Sequence, residues 1–229
     1  NEPIVIAEGG YIYKRHYPAV CDAKKAALVG YHIQLASSMA VREFRKSGRE
    51  GSIGIVLNLT PTYCKEPDNE EDRRSAEIAD LLFNKSFLDP SIRGEYPEKL
   101  VELLKEEGIC PEAAEEDLEI IRSNTVDFLG VNYYHPRRVT RRSTPYEGPL
   151  MPEKYFEEYT FEGQKMNFPA AGRSMSLPSM RSPSISAIIM EIYPGISRKT
   201  GWECRTRNNF WIRTVSWKTI TESSLSVTI

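Results

Sequence analysis

Two short stretches hold residue types that could do chemistry: Asn1-Glu2-Pro3 at the start of the chain and Asn132-Tyr133-Tyr134 more than half-way along it. A carboxyl beside an amide and a rigid proline suits a proton donor held at the rim of a sheet. An amide followed by phenols suits the orientation of a sugar hydroxyl or of a second carboxylate. On the residues alone both stretches also admit a plain reading, as a surface glutamate near a chain end and as a pair of core tyrosines. His32 sits inside a helical pattern and reads as a packing or hydrogen-bonding residue, because no His or Cys partner stands at metal-ligand spacing. His135 follows the second stretch and can line the same cleft. Arg137, Arg138, Arg141 and Arg142 form a basic cluster that could draw a phosphorylated substrate, although a solvated loop face is the simpler account.

These residues need elements to position them, and the apolar patterning supplies candidates. Pro3–Tyr13, "PIVIAEGGYIY", reads as a strand end passing through a Gly-Gly break into a loop. Asp22–Lys46 has a helical pattern with Leu28, Leu35 and Met39 on one stripe, Ala36, Ala40 and Phe44 beside it, and Gly48 as a stop. "GSIGIVLNLTP", Gly51–Pro61, is a continuous apolar run of strand length, as expected where both faces are covered. Asp68 and Glu71 have capping-box spacing before a stripe of Ala76, Ala79, Leu82 and Phe83. Two short helices follow, the first with Pro97 at its first turn and Gly108 past its last. "TVDFLGVNYYHPRRV", Thr125–Val139, is a second apolar strand ending in aromatic and polar residues. Buried strands alternating with helices predict an α/β fold with parallel strands, in which sites are built at the strands' C-terminal ends.

Composition narrows the partners. The 229 residues carry a formal net charge of -2, with 40% hydrophobic and 27% charged residues. Such a chain is globular in character and lacks the basic face of a nucleic-acid binder, so a small molecule is the expected partner. Cys21, Cys64, Cys110 and Cys204 are far apart with no CxxC spacing. With no stretch resembling a leader or membrane span, a reducing cytoplasm is expected.

The ordered set "NEP", "AALVGYHIQLASSMAVREFRKSG", "GSIGIVLNLTPTY", "FLDPSIRGEYPEKL" and "DFLGVNYYHPRRV" resembles glycoside hydrolase family 1. "LNLTPTY", "ADLLFNKSFLDP" and "GVNYYHPRRV" look most like that family's bacterial 6-phospho-β-glucosidases. The resemblance covers Asn1 to about Asn167. It implies a partial (β/α)8 barrel, strands four to six, with the chain beginning at the end of strand four as a fragment. It also implies a retaining mechanism whose two carboxyl groups stand about 5 to 5.5 Å apart. By the same resemblance Glu2 matches the general acid/base, Asn1 the amide that holds the sugar 2-hydroxyl, Asn132 a further pocket residue, and Tyr134 the phenol that hydrogen-bonds the nucleophile. No metal or organic cofactor is implied. The implied ligand is a phosphorylated β-glucoside; a plain β-glucoside is the alternative, and a non-catalytic remnant or a sugar-binding module are the non-enzymatic ones.

The strand-seven nucleophile, expected inside a motif like ITENG, has no match. "ITESS" at Ile220–Ser224 lacks the following Asn-Gly and a preceding apolar strand, so Glu222 is a poor candidate. After about Asn167 the chain becomes rich in Ser, Met and Pro and then basic, without helical or strand periodicity. A disordered tail accounts for this composition. The genetic code offers a sharper account. Read from the third base of each codon, degenerate codons for Arg198–Glu203 permit Glu-Asn-Gly-Met-Gly-Val, the missing motif. In the same frame Ala170–Ser176 permit Gly-Trp-Glu-Ile-Tyr-Val, Ile188–Pro194 permit Asn-Tyr-Gly-Asn-Ile-Pro, and Trp217–Ser223 permit Glu-Asp-Asp-Tyr-Arg-Ile. The expectation is a family region over residues 1–167 and an out-of-frame, disordered tail over 168–229 that forms no folded domain and carries no nucleophile.

Overall fold

A computed structural model describes residues 1–132 and 135–160, together with the backbone of two further short strands. Glu2 leads directly into helix α1 (Pro3–Tyr11), which corrects the strand-to-loop expectation for this stretch. Proline is preset for a first helical position, where its missing N–H costs no hydrogen bond. The two glycines serve close approach rather than a break: a Cβ on Gly9 would come within 2.3 Å of the His16 ring, and one on Gly10 within 3.0 Å of the Tyr17 carbonyl.

Helix α2 (Ala23–Lys46) begins where the pattern placed it, with the Asp22 carboxylate accepting from the Lys25 amide at 3.0 Å. Its buried face is not the apolar stripe. Leu28 and Met39 are each 40% exposed, whereas Tyr31, Gln34, Ser38 and Val41 are buried. The polar members are tolerated because they find partners: the Ser91 hydroxyl donates to Gln34 Oε1 at 3.1 Å, and the Tyr31 hydroxyl donates to Asp117 at 2.8 Å.

The first strand, β1 (Gly54–Asn58), is followed by a short β2 (Thr62–Cys64). Helix α3 (Glu70–Asp80) then starts one residue later than the anticipated capping box. Asn69, not Asp68, is the cap, accepting from the Asp72 amide at 3.1 Å. Through a π-helical turn, Leu81–Lys85, the chain continues into α4 (Ser86–Ile92), then α5 (Glu98–Glu106) and α6 (Glu115–Ser123). This helical stretch is the crossover that lets β3 (Phe128–Asn132) lie parallel to β1, in register from Gly54 opposite Phe128 to Asn58 opposite Asn132. Val56 approaches Gly130 so closely that a Cβ there would lie 2.9 Å from its methyl.

The predicted second strand is interrupted. Beyond Asn132 the regular structure resumes as β4 (Arg137–Thr140), which is parallel to β2 and antiparallel to β5 (Glu157–Glu158). Leu57, Leu59, Ala79, Leu88, Val131, Val139 and Phe156 pack together between the strands and helices α3 and α4. Strands β6 (Lys165–Asn167) and β7 (Ser174–Ser176) form an antiparallel pair, one on each side of the expected boundary after Asn167. Arg198, Glu222 and the rest of the expected tail beyond β7 lie outside the described residues.

Candidate active site

The site is assembled at the C-terminal ends of β1 and β3. Glu2 is tied to β1 by its backbone, its amide donating to the Val56 carbonyl at 2.8 Å, while its own carbonyl accepts from the Val5 amide in the first turn of α1. This geometry puts Glu2 in the left-handed region, φ 47 and ψ 55. A non-glycine residue there carries strain of order 1 kcal/mol, the kind that persists where the surroundings over-determine a position.

The side chain is tied to the neighbouring strand. Asn132 Nδ2 donates to Glu2 Oε1 at 2.8 Å and to Asn1 Oδ1 at 3.2 Å. Asn132, distant in sequence from Asn1 and Glu2, therefore shares one cluster with them, while Tyr134 lies outside the described residues. Beside Asn132 in the register stands Asn58, and the Oδ1 atoms of both are buried without a hydrogen-bond partner among the described residues. Asn58 belongs to the site by position, and sequence reading missed it. The signal was present, since it is the polar residue within "IGIVLNL" just as Asn132 is within "FLGVN". The loop after β1 is pinned by Asn84, which accepts from the Thr60 amide and donates to its carbonyl, both at 2.9 Å.

Around this cluster the charges are mostly compensated. Burial pushes the Glu8 carboxyl up, opposed by Arg137 and Arg15. Tyr13 donates to Glu153 at 2.9 Å, and its hydroxyl is pushed well above the usual range by burial and by that carboxylate. The basic cluster is not a free anion trap: Arg137 pairs with Glu158, Arg141 with Glu66 and Asp72, and Arg142 with Glu157. The Arg137 guanidinium also lies 3.7 Å from the centre of the Phe83 ring. His135 is exposed, with Nδ1 3.2 Å from the Pro136 carbonyl. His32 is exposed as well, its ring tilted against Tyr31 at 5.3 Å, so it is a surface residue rather than a packed one.

Among the described residues no group of three His, Cys, Asp or Glu could hold a metal ion, and no helix is long and apolar enough to cross a membrane. A cavity of about 450 Å³ lies between α1, α2, α4 and α5, walled by Ile4, Ala7, Tyr31, Phe87, Leu100 and Leu104. It touches neither Glu2 nor Asn132 and belongs to the helical layer, apart from the site.

The fold and the site define a class: part of a (β/α)8 barrel with a carboxyl held by amides at the ends of its parallel strands. The model for glycosyl hydrolase family 1 matches residues 1–183, and the chain belongs to that family. The 6-phospho-beta-glucosidase GmuD of Bacillus subtilis is 50% identical over 170 residues, 73% of this chain and 36% of that protein. The 6-phospho-beta-galactosidase of Leptotrichia buccalis is 35% identical over 141 residues, 58% of this chain and 30% of its own length. Among solved structures, the psychrophilic beta-glucosidase BglU of Micrococcus antarcticus superposes with a TM-score of 0.64 at 31% identity, covering 76% of this chain and 39% of that one. The chain thus spans about a third of the length of these relatives.

Proposed function

We propose that residues 1–167 derive from a retaining 6-phospho-β-glucosidase, a glycosidase that hydrolyses 6-phospho-β-D-glucosides to glucose 6-phosphate and an alcohol. In this reading Glu2 is the general acid/base, Asn1 holds the sugar 2-hydroxyl, Tyr134 bonds the nucleophile, and no cofactor is needed because two carboxyl groups suffice. The observation that supports the reading most is the hydrogen bond from Asn132, at the C-terminal end of β3, to the Glu2 carboxyl, because barrel enzymes build their sites at such strand ends. The 50% identity to GmuD favours the phosphorylated sugar over the plain glucoside. Three of the four arginines are paired with carboxylates and the fourth, Arg138, lies over the Tyr63 ring, so the cluster lends that choice no support. Free thiols at Cys21, Cys64 and Cys110 accord with the cytoplasm as the site of action.

The reading extends to the rest of the chain. The coding frame changes after about Asn167, the nucleophile codon stands under Arg198 and Lys199, and the polypeptide as written is a non-catalytic remnant. A proton donor without a nucleophile loses the covalent route. The nucleotide sequence around the Asn167 codon tests the frame: Glu-Asn-Gly codons are expected in the shifted frame at Arg198, and their absence there ends the proposal. For the substrate, the complete gene product read in the restored frame, with all eight barrel strands, should hydrolyse 4-nitrophenyl 6-phospho-β-glucoside in preference to the unphosphorylated glucoside. The reverse preference would favour the plain β-glucosidase.

A further inference from the structure

We infer that Asn132 is a positioning residue and not a contact to the sugar. Its amide holds Oε1 of Glu2 and selects which end of the Asn1 amide faces a ligand. The inference rests on the reading of Glu2 as the acid/base. Asn132 is only 7% exposed, and its two amide hydrogens have two acceptors in reach, Glu2 Oε1 at 2.8 Å and Asn1 Oδ1 at 3.2 Å. Nothing remains of that donor for a substrate hydroxyl. Its Oδ1 is buried as well, so the ligand does not reach the other end of the amide.

The amide's orientation is over-determined. Turned over, it would set Asn132 Oδ1 against two acceptor oxygens, whereas in the observed orientation Glu2 Oε1 and Asn1 Oδ1 each meet a donor. The backbone on either side removes slack: Leu59 donates to the Asn132 carbonyl at 3.1 Å, and Glu2 donates to Val56 at 2.8 Å. Both partners are thus hung from the same pair of strands.

For the acid, the bond from Asn132 holds Oε1 in both protonation states; once the proton has left, that bond becomes charge-assisted and keeps the carboxylate in place for its return as base. For Asn1, acceptance at Oδ1 leaves Nδ2 as the end offered to a ligand from an exposed residue, so Asn1 reads a sugar hydroxyl as an acceptor.

The test uses the full chain labelled with ¹⁵N, observing the side-chain amide of Asn132, assigned by its loss in Asn132→Asp. We expect two well-separated proton resonances, one of them displaced downfield. In Glu2→Gln the displaced resonance should persist, because glutamine keeps the accepting oxygen. In Glu2→Ala the displacement should vanish. An amide pair at unstructured shifts, or one still displaced in Glu2→Ala, would overturn the inference. No turnover is needed for this readout, so a failure here is distinct from a failure of the glycosidase reading.

Discussion

Two carboxyl groups, Glu2 and Asp72, stand in comparable places and are treated in opposite ways. Each lies at the ends of a parallel strand pair, Glu2 by β1 and β3 and Asp72 by β2 and β4. Asp72 is fully buried and saturated: it accepts from the amides of Glu66 and Arg141 at 2.9 and 2.8 Å, and from Thr140 and the Arg141 guanidinium, both at 3.1 Å. Burial alone would raise its pKa, but these donors outweigh burial and hold the carboxyl below its ordinary range. Glu2 sits on a left-handed backbone, beside two asparagines whose carbonyl oxygens are buried without a partner among the described residues. The four donors around Asp72 hold the chain together. The cluster around Glu2 keeps strain and unmet hydrogen-bonding capacity, which is what a site retains when its groups are placed for a ligand.

Isosteric amide substitutions sharpen the contrast. Asp72→Asn removes a buried, hydrogen-bonded charge from Arg141 and should cost about 3 kcal/mol in a denaturant titration. Its sign with pH is also set. A folded pKa below the ordinary value of 3.8 contributes stability above that pH, lost as the pH falls through the folded value. The variant should lack that component of acid sensitivity.

Asp89, buried in α4 with Oδ1 lacking a partner among the described residues, goes the other way. Burial pushes it up to about 6, against the attraction of Arg93 and Lys85. The folded state then holds more protons than the unfolded state between the ordinary value of 3.8 and about 6, so stability falls as pH rises through that window. Asp89→Asn should flatten this slope and gain about 1 kcal/mol at neutral pH, read from thermal melts on either side of the window. The smallest effect is expected at Glu2. Because glutamine keeps the oxygen that accepts from Asn132, Glu2→Gln should change stability by less than about 0.5 kcal/mol. A loss there as large as that of Asp72→Asn would erase the distinction between clamp and site.

Much of this was legible in the sequence where local chemistry decides. The boundaries of α2 and α5 follow from Asp22, Pro97 and Gly108, the last in a left-handed conformation at φ 67. The strand cores of β1 and β3 follow from continuous apolar runs. What was not legible depends on partners distant in sequence. Gly9 and Gly10 looked like a break until His16 and Tyr17 were seen folding back onto them. The buried face of α2 is set by Ser91 and Asp117, from α4 and α6, and not by its own apolar stripe. Glu2 and Asn132 were nominated by motif, but the register that stands Asn58 next to Asn132 is a property of the sheet.

We propose that Glu2 is the proton donor of a glycosidase site whose nucleophile this chain does not carry in frame. The most direct test is hydrolysis of 4-nitrophenyl 6-phospho-β-glucoside by the chain as written and by the complete gene product read in the restored frame, all eight barrel strands included, each with and without Glu2→Gln. The account predicts no turnover by the chain as written, and turnover by the restored protein that Glu2→Gln abolishes. Hydrolysis by the chain as written, or a restored protein indifferent to Glu2→Gln, would contradict it.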